Sequence, residues 1–102
     1  MTYVKINDTL YPASIRGYIK DKTWDDRDSR AITLEMSYAD AMALFVDDLD
    51  WAIVYETGET TEEYDNSDFS VAGSVTDNRN GTVTVKMGKP TSDELLAILM
   101  GG

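Results

Sequence analysis

The 102 residues fall at the low end of single-domain size and form one domain over residues 1–102, with no room for a second core. With 42 % apolar residues the chain is expected to fold. It carries 19 acidic against 9 basic residues, a net charge of −10, and neither Cys nor His. Those two zeros exclude Cys and His nucleophiles, Ser-His triads and every Cys/His zinc or haem site.

Period-2 alternation dominates the chain, so strands are expected to outnumber helices. Val4, Ile6 and Leu10 surround a turn at Asn7-Asp8. A three-residue loop, Asn7 to Thr9, sets Ile6 opposite Leu10 and keeps the apolar face whole, so this register is favoured over a two-residue loop. Ile15, Gly17 and Ile19 alternate on odd positions and Ile32, Leu34 and Met36 on even ones, which predicts a further hairpin. The segment between them, Asp21 to Arg30, is too charged for a core and is expected to be a long exposed loop. Its Trp24 is either a contact residue or a lid on its own hairpin. Pro12 and Pro90 are both placed at element boundaries.

Ser37 is expected to cap a helix over about 38–45, in which Tyr38, Ala41, Met42 and Phe45 form the i, i+3, i+4, i+7 stripe. Trp51 to Tyr55 is apolar on both parities, as in a central strand covered on both faces, and Trp51 and Tyr55 are assigned to the core. Later, Phe69, Val71, Gly73 and Val75 share one parity with Val83, Val85 and Met87. A loop of Arg79, Asn80 and Gly81, with Gly81 at positive φ, pairs Val75 with Val85 and Gly73 with Met87. A second helix over about 92–100 follows Pro90, with Thr91 and Glu94 in a capping box and Gly101 as its stop. Its Leu95, Leu96, Ile98, Leu99 and Met100 must pack deeply or meet a partner. The sum is an α+β fold: a small antiparallel sheet or partly open barrel of about 6–7 strands built from hairpins, with two short helices.

Charge is distributed unevenly. Between Ala31 and Asn78 there are 12 acids and no Lys or Arg, and nine of the acids (Asp47, Asp48, Asp50, Glu56, Glu59, Glu62, Glu63, Asp65 and Asp68) lie in one stretch. A solvated, charge-solubilised surface explains this simply. The sharper alternative is a surface that imitates nucleic-acid phosphates, but a β-strand needs carboxylates at i, i+2, i+4 for a single-face row. Glu56, Glu62 and Asp68 are even and Glu59, Glu63 and Asp65 odd, so no clean row exists. Direct nucleic-acid binding is not expected from nine scattered basic residues. The Asp-rich runs lack an EF-hand ladder, so no metal site is expected. No dinucleotide fingerprint or P-loop is present, and no cofactor or catalytic residue is assigned. So short a chain leaves little scaffold for a deep cleft, and a small-molecule ligand is not expected. Tyr64 beside Asp65 to Asp68, with Leu96 and Met100 in the last helix, joins Trp24 among candidate contact residues. No signal peptide or membrane span is read, which implies synthesis as a soluble cytoplasmic chain.

Three segments carry a resemblance: Tyr3 to Ile15 (YVKINDTLYPASI), Glu63 to Val75 (EYDNSDFSVAGSV) and Lys86 to Pro90 (KMGKP). Over most of its length the chain resembles small prophage-encoded proteins of Gram-positive bacteria, often encoded near virion and tail genes. The resemblance implies a non-enzymatic structural or protein-interaction module, virion- or tail-associated, that binds a protein partner or itself. Its alternative is an acidic nucleic-acid mimic that inhibits a host defence enzyme.

Overall fold

The computed structural model describes residues 1–100, so Gly101 and its assignment as a helix stop lie outside the described residues. Seven strands, β1 (Thr2–Ile6), β2 (Thr9–Asp21), β3 (Arg27–Leu34), β4 (Trp51–Thr57), β5 (Thr60–Asp65), β6 (Val71–Asp77) and β7 (Val83–Gly88), form one open antiparallel sheet in the order β5-β4-β1-β2-β3-β7-β6. Helices α1 (Tyr38–Leu44) and α2 (Ser92–Leu99) complete the α+β fold that the hairpin pattern predicts.

The sheet is organised around β2. Its first residues, Thr9 to Pro12, pair with β1, and from Ala13 onward it pairs with β3. Pro12 therefore lies inside a continuous 13-residue strand, at the point where the strand changes partner, and not at a boundary. Pro90, by contrast, precedes the α2 N-cap Thr91 as expected.

The first hairpin corrects the sequence expectation. Ile6 pairs with Thr9 across a two-residue turn, so Leu10 points to the opposite face and stays exposed. Asn7 (φ 51°) and Asp8 (φ 64°) are both left-handed, the conformation that a two-residue turn requires and that Asn and Asp tolerate. Tyr11, not Leu10, packs on the core beside Val4.

The β6–β7 hairpin has the expected Val75–Val85 pair, and Gly81 (φ 88°) supplies the positive φ of its loop. A bulge between Ala72 and Val75 then sets Ala72, rather than Gly73, opposite Met87. Ile15 meets Ile32 in the β2–β3 hairpin, but the strands run further than expected, to Asp21 and from Arg27. A second bulge, with Lys20 left-handed, leaves Ile19 in water and turns Asp21 inward. The long exposed loop thus shrinks to residues 22–26.

The core lies on one face of the curled sheet. Val4, Ile6, Trp51 and Ile53 from β1 and β4 meet Ile32, Leu34, Val83, Val85 and Met87 from β3 and β7 in a single cluster. Helix α1, capped by Ser37 Oγ accepting from Asp40 N–H at 3.1 Å, covers it with Ala41 and with Phe45 at its C-cap. Strand β4 is buried on both parities from Trp51 to Val54, but it lies next to the edge strand rather than at the centre. Tyr55, assigned to the core by its sequence, is 40 % exposed.

Candidate functional site

Helix α2 is built soundly at its start and left bare along its length. Thr91 Oγ1 accepts from Glu94 N–H and the Glu94 carboxylate accepts from Thr91 N–H, the reciprocal capping box that the Thr-x-x-Glu spacing predicts. The same carboxylate accepts two bonds from the Arg27 guanidinium, at 2.9 and 3.0 Å. Among the described residues no strand or other helix brings its backbone close to α2, and none of the helix residues is buried. At about 100° per residue, Leu95, Leu96, Ile98, Leu99 and Met100 cover an arc of roughly 200°, with Glu94 on the opposite side. The tether through Glu94 therefore turns the apolar arc away from the body. Leu96 and Met100, both picked out by the sequence, are 54 % and 77 % exposed, and Leu99 is 83 % exposed.

Arg27 belongs to a buried polar cluster that its charged surroundings concealed. It also donates to the Trp24 carbonyl through Nε and to the Lys89 carbonyl, and its guanidinium lies 4.6 Å from the Trp24 ring centre. Beside it, Asp21 accepts from Lys86 Nζ (2.6 Å), from Thr23 and from Ser29 Oγ. The Lys86 ammonium above all, and then Thr23, hold the Asp21 carboxyl far below its ordinary value. Arg27 likewise lowers the Glu94 carboxyl. Every buried side-chain donor and acceptor among the described residues has a partner. Trp24 folds back, but onto β6 and β7 rather than over its own β2–β3 hairpin: its ring lies on Gly73 and Gly88, where an added Cβ would come within 2.5 Å and 2.8 Å of it.

The nine acids do not gather into one surface. Asp47 accepts from Ala72 N–H at 2.8 Å and ties the α1–β4 loop to β6. Asp50 and Asp65 both accept from Ser67 Oγ, and Ser67 keeps the Asp65 carboxyl low. Glu62 accepts from the Tyr64 hydroxyl, which raises the phenol, and Glu63 pairs with Lys5 at 3.0 Å, which raises the ammonium. Asp68 pairs with Lys89 at 3.3 Å. Asp48 occupies a left-handed turn, and Glu56 and Glu59 lie in the exposed β4–β5 hairpin. Across the ladder, Glu62 opposes Tyr55 while Glu63 opposes Val54, so neighbouring acids of β5 face opposite ways. Among the described residues no three carboxylates come together as a metal site, and no helix is long and apolar enough to cross a membrane.

The curl of the sheet also opens a cleft of about 730 Å³ between the β4–β5 hairpin and the β2–β3 strands, with Tyr55, Tyr64 and Ile53 on one side and Gly17, Arg30 and Phe69 on the other. It was not legible in the sequence, because its walls come from separate segments; Arg30 and Asn66, which meet in it, are 36 residues apart. Arg27 and Arg30 were likewise missed, and Glu94 was read only as part of its capping box, not as the partner of Arg27; the one available signal for Arg27 was the Thr-x-x-Glu box that presents Glu94. No family model, curated protein or solved structure matches this chain.

Proposed function

We propose that the chain is a non-enzymatic, phage-derived structural or protein-interaction module that joins a protein assembly through α2. One observation carries the reading: an eight-residue helix exposes four large apolar side chains, and its C-cap Met100 a fifth, on the side away from the Glu94–Arg27 tether. Helices this short are marginal alone, so their stability normally comes from packing an apolar face. A bare apolar helix of this kind fits the groove of another protein, or the same helix of a second copy. The resemblance to prophage-encoded proteins near virion and tail genes supports an assembly role. An acidic decoy has less support, because six of the nine carboxylates are engaged in hydrogen bonds or ion pairs within the fold.

Light scattering after gel filtration tests the proposal. The full chain is expected to run above its monomer mass of 11.4 kDa or to co-elute with purified virion proteins. Leu95→Asp with Leu99→Asp, which leaves Glu94 and the capping box intact, is expected to abolish both. A monomer that associates with no virion protein overturns the reading.

A further inference from the structure

The cleft contains a cation with free bonding capacity in a chain of net charge −10. Arg30 is half-buried at its floor. Its Nε–H donates to Asn66 Oδ1 at 2.8 Å, and its guanidinium lies 4.5 Å from the Phe69 ring centre. Among the described residues no carboxylate pairs with it and no protein acceptor engages its terminal N–H groups.

The group is held in place from several sides. Asn66 is buried, its Nδ2 donates to the Tyr64 carbonyl, and its backbone N–H donates to the Trp51 carbonyl. Phe69 is fixed in turn by Trp51 Nε1–H donating to its carbonyl at 3.1 Å. Opposite, Gly17 leaves a notch in β2: a Cβ there would stand 2.8 Å from an Arg30 terminal nitrogen. The fork is thus oriented by core residues and opens into the cleft.

The rest of the wall narrows the ligand class. Tyr55 and Tyr64 stand edge to face, 5.7 Å between ring centres, and both rings are partly exposed on the cleft side. Such rings cover the apolar face of a saturated or aromatic ring. Asp28, Asp65, Asp68 and Lys89 also line the cleft; Asp68 is paired with Lys89 and Asp65 Oδ1 with Ser67, so the remaining carboxylate oxygens are left to accept from hydroxyls, and three acids around one paired lysine repel a second negative charge. A planar guanidinium fork matches one carboxylate in two-point contact. The volume is within the usual range for small-ligand sites.

We propose that this cleft binds a sugar ring bearing a single carboxylate, with the carboxylate on Arg30, a ring face on the Tyr55–Tyr64 wall and hydroxyls on the aspartates. The site is separate from α2, so it stands or falls independently of the assembly role.

The test is titration of the full chain with D-glucuronate, followed by amide and Arg Nε chemical shifts, with D-glucose, acetate and inorganic phosphate as comparators. Glucuronate is expected to shift Arg30, Asn66 and Tyr64 with a Kd on the order of 1 mM, and each comparator is expected to bind at least roughly tenfold more weakly. Gly17→Ala keeps the charge and the Asn66 partner while displacing the fork, and Arg30→Gln removes the charge; both are expected to lose roughly tenfold or more in affinity with the remaining spectrum preserved. Should Arg30→Gln disturb the fold through Asn66, Gly17→Ala alone decides. Equal binding of acetate or phosphate, equal binding of glucose, no response to glucuronate, or wild-type affinity in Gly17→Ala each overturns the proposal.

Discussion

Glu94→Gln is the sharpest probe of how α2 is held. The substitution is nearly isosteric and Gln serves in a capping box as well as Glu, so the helix start is preserved while the charge facing Arg27 is removed. Two bonds between opposite charges, at 2.9 and 3.0 Å, become at most one from the guanidinium to a neutral amide oxygen. Bonds to charged groups contribute about 1.5–3 kcal/mol each, but the Glu94 side chain is 44 % exposed, so water screens part of the gain. The net loss is about 1–2 kcal/mol. Because no other described element brings its backbone close to α2, that loss falls on the local opening of the helix and not on the sheet. A change of 1–2 kcal/mol is roughly 5–30-fold in an opening equilibrium. Amide hydrogen exchange reads it directly: Leu95 and Met100, whose N–H groups donate to Thr91 and Leu96 within α2, are expected to lose that factor in protection, while β3 and β7 amides keep theirs. Unchanged protection in α2, or an equal fall in β3 and β7, would refute the reasoning.

Other outcomes follow from the same geometry. Asp8→Gly relieves left-handed strain at a residue whose side chain is 97 % exposed; after the entropic penalty of glycine it is expected to stabilise by about 0.5–1 kcal/mol, raising Tm by about 2–8 °C in calorimetry. Asp21, Asp65 and Glu94 have carboxyls lowered on folding, so the stability they contribute is present above the ordinary carboxylate values of 3.8 and 4.5 and is lost as pH falls through the lowered ones. Urea midpoints are therefore expected to be level near neutrality and to drop below about pH 4, and Lys86→Met is expected to flatten that drop. Gly73→Ala drives a Cβ to 2.5 Å from the Trp24 ring; Trp24 is expected to swing into water, seen as a red-shifted emission with Trp51 unchanged.

What the sequence disclosed depended on how local the determining physics was. The β6–β7 hairpin was readable because Val75 and Val85 must share a face and Gly81 marks the loop. Both helices were readable from their caps, Ser37 and Thr91, but whether the apolar α2 packs deeply or is left bare was not, because that depends on what the sheet leaves uncovered. The first hairpin was misread because the apolar face was assumed to include Leu10, whereas two left-handed residues at Asn7-Asp8 fix the register before packing is consulted. Asp21, Arg27 and Ser29 were assigned to a loop by their polarity; their partners Lys86 and Glu94 lie 65 and 67 residues away, and only pairing of β3 with β7 and the α2 capping box bring them in. Tyr55 was assigned to the core because its strand is apolar, yet the sheet curls away beyond Val54.

The division of β2 between two partners also orders the assembly of the chain. Four pairings, β1–β2, β2–β3, β4–β5 and β6–β7, join neighbours in sequence and can close early, as hairpins do. The remaining two, β1–β4 and β3–β7, enclose long loops, from Ile6 to Trp51 and from Leu34 to Val83, and such closures are slow. One wall of the cleft is the β4–β5 hairpin, and the other is β2 and β3 together with Phe69 and Lys89, which flank β6 and β7, so it exists only when both late closures are complete. Ligand binding at Arg30 would therefore report the last step of folding, and core substitutions that leave every hairpin intact but loosen either closure would silence the cleft before they unfold the protein.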